Sequence, residues 1–105
     1  MHDEVVRVEV NEADRMTLVI VTGEIDAHSI LALQAPLADL SPHSHVLLDM
    51  SGVRFLDCRG LNVVLAQRAT MTEAGGSLHI RHASPAVRRI LHVTGLTDIL
   101  REPEP

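Results

Sequence analysis

The sequence predicts an α/β fold, in which a single-domain mixed β-sheet of four to five strands is covered by helices mainly on one face. Short runs of β-branched and aliphatic residues alternate with segments whose apolar residues recur at helical spacing. The first two strand-like runs are close together, as in an N-terminal antiparallel hairpin. The later strands are separated by helical segments, which favours parallel βαβ units with right-handed crossovers.

Length and composition favour one domain. The chain has 105 residues, of which 46% are hydrophobic, and Phe55 is its only aromatic residue. This apolar fraction is too high for a disordered chain, so we expect an aliphatic core. We expect one domain over residues 1–105, ordered from about residue 4 to residue 100, with a polar tail at 101–105.

The N-terminal hairpin is predicted from alternation and spacing. Residues 4–10 alternate between valines and charged residues, which is typical of a half-buried strand. Residues 15–22 form a more apolar second strand, and residues 11–14 are predicted to form the turn between the two.

One helix and a third strand follow the hairpin. Residues 23–29 are predicted to form a loop, in which Asp26 or Ser29 could cap the next helix. Leucines recur at helical spacing over residues 30–40, and Pro36 predicts a kink or a late helix start there. Residues 46–50 are apolar enough for a buried third strand.

The second half of the chain predicts two helices around a fourth strand. Residues 60–74 have a strong helical pattern that ends at the glycine pair 75–76, and residues 77–81 form the strand. The Ser84-Pro85 pair marks the start of a short amphipathic helix, which Gly95 ends. Residues 96–100 add a further turn.

Several functional classes are excluded by charge and motif. The formal net charge of −5 argues against binding to a nucleic-acid backbone. No apolar stretch is long enough to span a membrane, and the charged N-terminus does not resemble a signal peptide. The seven histidines form no metal-binding motif, and no nucleotide-binding motif is present. We therefore expect a soluble cytoplasmic protein without cofactor or metal.

Candidate functional residues lie where two strands end. Asp26 follows the second strand, and Asp57, Cys58, Arg59 and Gly60 follow the third strand at the start of a helix. Because sites in parallel sheets gather at the carboxyl ends of strands, we expect Asp26 and Asp57 to lie close together beside Cys58. The helix start offers free N–H groups and a partial positive charge.

The residues alone leave the role of Cys58 open. A capping or packing role suits most cysteines, which behave as small hydrophobic residues. The helix start and Arg59 favour ionisation of the thiol, whereas Asp26 and Asp57 oppose it. A phosphatase nucleophile is disfavoured because the residues after Arg59 belong to an apolar helix and not to a phosphate-binding loop.

Four segments together resemble the STAS domain of bacterial anti-sigma factor antagonists. They are GEID, LLDMSGVRFLDCRGLNVVL, GGSLHI and AVRRILHVTGL, and the resemblance extends from about Val5 to Leu100. It implies a STAS-like fold and a non-enzymatic protein that binds an anti-sigma factor, itself a serine kinase, and so releases a sigma factor. The partner-binding residues that it implies are Asp26, Asp57, Cys58, Arg59 and Gly60. A monomer or weak homodimer is expected.

The sequence departs from the family pattern at its central position. In the family a serine stands where this chain has Cys58, and its phosphorylation ends binding to the partner; a small hydroxyl residue is usual where this chain has Arg59. The chain is therefore interpreted as an antagonist without the usual switch, as a thiol redox-responsive variant, or as carrying an introduced replacement. A different functional class, an accessory subunit of a transport system or a signalling scaffold, is the alternative.

Overall fold

The computed structural model describes residues 6–13 and 16–100. The elements in chain order are β1 Arg7–Ala13, β2 Met16–Ile25, α1 Ile30–Ala38, β3 His45–Leu56, α2 Cys58–Glu73, β4 Ser77–Ala83, α3 Pro85–Thr94 and a 3₁₀ turn at Thr97–Leu100. The strands form one sheet in the order β1-β2-β3-β4, with β1 and β2 antiparallel and the other pairs parallel. The predicted fold class is confirmed.

The helices and the sheet share one apolar core. Along β2, Val19, Val21 and Ile25 are fully buried, whereas the residues between them are partly or fully exposed, except for buried Gly23. The buried face contacts all three helices in a single cluster, whose helical members are Leu33, Leu37, Leu61, Val64, Met71, Val87 and Leu91. Helices α1 and α2 pack against each other, so they lie on the same side of the sheet, as right-handed crossovers predict.

The hairpin turn is shorter than predicted. Residues 11–13 belong to β1, and the pairing with β2 continues to Ala13 opposite Met16. The prediction of a turn over 11–14 is therefore wrong, because exposed polar residues are tolerated on an edge strand as well as in a turn. Residues 14–15, the first residues of the predicted strand at 4–5, and the tail at 101–105 lie outside the described residues.

Strands β2 and β3 extend beyond their predicted ends. Gly23 pairs with Val53, and Ile25 pairs with Leu56, so the predicted loop begins only after residue 25. The register shifts twice in this stretch, next to the glycines. A Cβ at Gly52 would lie 2.7 Å from Cγ2 of Thr22, so this glycine permits the close approach of the two strands.

The helix boundaries follow the predicted signals with two differences. Helix α1 begins at Ile30 and continues through Pro36, so the helix does not start late; the proline removes only one interior hydrogen bond. Helix α2 begins at Cys58, earlier than predicted. At α3 the Ser84 hydroxyl accepts a hydrogen bond from the N–H of Val87, and Gly95 ends the helix at φ 74°.

Candidate functional site

The two acidic turns lie side by side at one end of the sheet. Strands β2 and β3 are parallel neighbours whose last registered pair is Ile25 with Leu56. The N–H of Asp57 then donates to the carbonyl of Ile25 at 3.3 Å. Asp26 and Asp57 are therefore the first residues after two adjoining strand ends. The structure brings Asp26 next to the start of α2, where Cys58 is the first helical residue.

Hydrogen bonds within its own turn hold the Asp26 side chain. Its Oδ1 accepts from the N–H of His28 at 2.9 Å and from the N–H of Ser29 at 3.2 Å. The hydrogen bond from His28, with those from the backbone and hydroxyl of Ser29, outweighs partial desolvation and holds the pKa of the Asp26 carboxyl below its ordinary value. The site therefore presents an ionised and oriented carboxylate at neutral pH.

Helix α2 starts with a capping aspartate and an exposed thiol. Asp57 has an extended backbone, and its Oδ1 accepts from the N–H of Gly60 at 3.0 Å, which satisfies one free donor of the first turn. A carboxylate at this end also interacts favourably with the helix dipole. Cys58 is exposed and forms no disulfide. Asp57 is thus the cap, and the packing interpretation of Cys58 is wrong.

Gly60 lets α2 begin directly against the two strand ends. A Cβ at this position would lie 2.6 Å from Cγ2 of Ile25 and 2.6 Å from Cδ1 of Leu56. Ile25 is fully buried, so its side chain has little free space to move into. The absence of a side chain at Gly60 therefore positions Asp57 and Cys58 beside the Asp26 turn.

The sequence did not predict the contacts that two residues near these turns, Ser29 and Glu24, make in the structure. Ser29 was considered only as a helix cap, but its hydroxyl makes no capping hydrogen bond and instead donates to the carbonyl of Glu24 at 2.7 Å. The Asp26-x-x-Ser29 spacing is the signal for such a turn. Glu24 also forms an ion pair with Arg54 at 3.6 Å, with both side chains about half-exposed, so this pair contributes little to stability.

The described residues form no metal site. Across residues 6–13 and 16–100, no three His, Cys, Asp or Glu side chains are grouped so that they could hold a metal ion. Two histidines join neighbouring segments instead: Nδ1 of His43 lies 2.9 Å from the carbonyl oxygen of Ala74, and Nδ1 of His45 lies 2.8 Å from Oγ of Ser77. Within the same ranges, none of the helices has the length and apolar character needed to cross a membrane.

We call the set Asp26, Asp57, Cys58, Arg59 and Gly60 the α2 start site. It offers carboxylates, an exposed thiol and the exposed cation of Arg59 on the surface of the molecule. Residues 59–64 all belong to α2, so no phosphate-binding loop follows the cysteine. The arrangement suits electrostatic and hydrogen-bonded docking of another macromolecule more than catalysis.

Comparison with known proteins indicates the family of the chain. A family model described as Mlab, STAS domain, matches residues 8–102. The chain is 29% identical over 96 residues to the anti-sigma-B factor antagonist of Bacillus subtilis (strain 168), and the match covers 90% of this chain and 88% of that protein.

Solved structures agree with this similarity. An anti-sigma factor antagonist from Mycobacterium paratuberculosis is 33% identical with a TM-score of 0.71, and the match covers 89% of this chain and 80% of that one. The anti-sigma factor antagonist SpoIIAA in its unphosphorylated form is 18% identical with a TM-score of 0.76, covering 93% and 89% of the two chains, and shares the fold. Anti-sigma factor antagonists are regulatory proteins and not enzymes, which agrees with expectation. The chain belongs to the STAS-domain family of anti-sigma factor antagonists.

Proposed function

We propose that this chain binds an anti-sigma factor through the α2 start site and thereby releases a sigma factor. The observation that supports this most is the convergence of the Asp26 and Asp57 turns around an exposed helix start. The names of the similar antagonists supply the class of partner. Release is by competition, since an anti-sigma factor docked on this surface no longer holds its sigma factor. We place both partners in the cytoplasm, with the chain acting as a monomer or weak homodimer.

Cys58 removes the hydroxyl that a serine kinase needs. A phosphate at this position would add roughly 1.5 to 2 negative charges beside Asp26 and Asp57, in the middle of the proposed interface. A thiol is similar in shape to a hydroxyl but does not accept phosphate from a serine kinase. We therefore propose that phosphorylation at residue 58 does not end binding, and that the chain stays competent to bind its partner.

Arg59 makes the proposed interface more selective. Its exposed guanidinium lies at the second position of α2, between the exposed thiol and the buried Gly60. A partner must place an acidic or neutral group opposite this cation, because a basic group there would be repelled. Arg59 is therefore proposed to restrict the chain to anti-sigma factors that carry such a group.

The test uses a purified anti-sigma factor kinase from the same organism, ATP, and the purified full chain. Calorimetry measures the dissociation constant, and mass spectrometry locates any added phosphate. Wild type and Cys58→Ser should bind with similar affinity, and only Cys58→Ser should take up phosphate and then release the kinase. Cys58→Asp should bind about tenfold more weakly or worse, because it adds a negative charge at the interface.

Matched controls carry the same changes elsewhere on α2. Ala69 is exposed on the same helix, so Ala69→Ser should take up no phosphate and Ala69→Asp should bind like wild type. Absence of wild-type binding contradicts the proposed function. Phosphate uptake by wild type at another residue, followed by release of the kinase, contradicts the proposed loss of the switch.

A further inference from the structure

A groove lies between the end of β3 and helix α3. The pairing of β3 with β4 stops at Met50 opposite Ala83, whereas its pairing with β2 continues to Leu56. The last residues of β3 therefore project past β4, and α3 lies along the side that β4 leaves open. The resulting space of about 550 Å³, which we call the α3 groove, is lined by Phe55, Leu56, Pro85, Ala86, Arg89, Ile90 and Val93.

The α3 groove exposes two large apolar side chains, Phe55 and Val93, that do not belong to the core cluster. Val87 and Leu91 of α3 are fully buried in the core. Ala86, Ile90 and Val93 follow helical spacing on a different face, so α3 has a second apolar face. Val93 is 77% exposed on this face, and Phe55 on the opposite wall is 48% exposed. Single exposed apolar side chains scattered over a surface are common, whereas two large ones in the same concave surface indicate a binding surface.

The charge of the lining residues restricts which kind of protein segment can bind in the α3 groove. Among the described residues that line the α3 groove, Arg89 is the only charged one and none is acidic. An occupant with apolar side chains and a carboxylate would fill the groove and pair with Arg89, whereas a basic segment would be repelled. The chemistry of the groove thus selects an acidic, amphipathic protein segment.

The α3 groove is continuous with the α2 start site through Leu56. The Leu56 side chain lies against Gly60 on one side and lines the groove on the other. Phe55 of the groove and Cys58 of the α2 start site are both exposed and lie three residues apart in the chain, so one docked protein can contact both surfaces. The two surfaces differ in charge, because the first carries Asp26 and Asp57 beside Arg59, whereas the second carries Arg89.

We propose that the α3 groove is a second docking surface for the same anti-sigma factor, which inserts apolar side chains between Phe55 and Val93 and places a carboxylate on Arg89. This inference rests on the proposed function. The contact adds buried apolar area and sets the orientation of the partner, since an acidic segment must lie on the α3 side.

Calorimetry with the purified anti-sigma factor tests the proposal on the full chain. Val93→Glu and Arg89→Glu should each raise the dissociation constant at least about tenfold, because one places a charge in the apolar groove and the other repels the carboxylate. Arg88→Glu is the matched control: it makes the same change of charge on the same helix, at an exposed residue that does not line the groove. It should change the dissociation constant less than about twofold. Circular dichroism checks that each variant is folded.

The outcomes separate this inference from the proposed function. If wild type binds and both groove variants bind equally well, the second docking surface is wrong and the proposed function stands. If Arg88→Glu weakens binding as much as Arg89→Glu, the effect is general electrostatics and the specific contact is overturned. If wild type does not bind the anti-sigma factor at all, both proposals fail.

Discussion

Asp26 illustrates how one residue links local structure to the proposed interface. Its position directly after β2 follows from the sequence, because an acidic residue there marks the end of an apolar strand. Its fixed orientation does not, because the residues that bind it, His28 and Ser29, are equally compatible with a loop or with a helix cap. Local sequence therefore identified the carboxylate, whereas the structure was needed to show that it is held in place.

The depressed pKa of Asp26 predicts a pH-dependent contribution to stability. A carboxyl whose pKa is lower in the folded than in the unfolded chain stabilises the fold above its unfolded pKa, for which the ordinary value is 3.8, and this contribution is lost as the pH falls through the folded pKa. Asp26→Asn should therefore be less stable than wild type near pH 7, and the difference should shrink below about pH 4.

Urea denaturation from about pH 7 to about pH 2.5 measures this difference directly. Ser29→Ala serves as the matched variant, because it keeps the carboxylate but removes the Ser29 hydroxyl, together with its hydrogen bonds to Asp26 and to the carbonyl of Glu24. Its loss of stability should change less with pH than that of Asp26→Asn. A difference between wild type and Asp26→Asn that does not change with pH would mean that ionisation of the Asp26 carboxyl contributes nothing to folding stability.

At the scale of elements, β3 and α2 together determine where the candidate site lies. The apolar run over residues 46–50 predicts that β3 ends at residue 50, yet Gly52 pairs with Thr22 and the strand continues to Leu56. Pairing with β2 extends the strand past its apolar run, which a single segment does not reveal. The helical pattern of α2 was predicted correctly over most of its length, because its buried stripe, including Leu61 and Val64, repeats at helical spacing.

Because α2 begins so close to the ends of β2 and β3, we expect that adding one methyl group at Gly60 destabilises the fold. Gly60→Ala places a Cβ against Ile25 and Leu56, both buried, and should destabilise the fold by about 1–3 kcal/mol. Asn62→Ala, at an exposed position of the same helix, should change stability by less than about 0.5 kcal/mol. Chemical denaturation compares the two variants, and a Gly60→Ala variant as stable as wild type would show that the helix start can move away from the strands at little cost.

At the scale of the whole molecule, the order of the strands creates the candidate site. Because β2 and β3 are adjacent and parallel, their following turns must meet at one end of the sheet, so the proximity of Asp26 and Asp57 was predictable from the sequence. The α3 groove was not predictable, since it depends on how far β3 projects past β4 and on how α3 packs beside it. A net charge of −5 with a basic groove gives the molecule two surfaces of different chemistry.

Release of a sigma factor from its complex with the anti-sigma factor is the measurement that tests this account most directly. The preformed complex is mixed with increasing amounts of wild type, Cys58→Asp or Ala69→Asp, and the free sigma factor is quantified by size-exclusion chromatography. Wild type and Ala69→Asp should displace the sigma factor as they saturate the anti-sigma factor, and Cys58→Asp should require about ten times more protein or fail. Equal displacement by Cys58→Asp, or none by wild type, would contradict the proposed function.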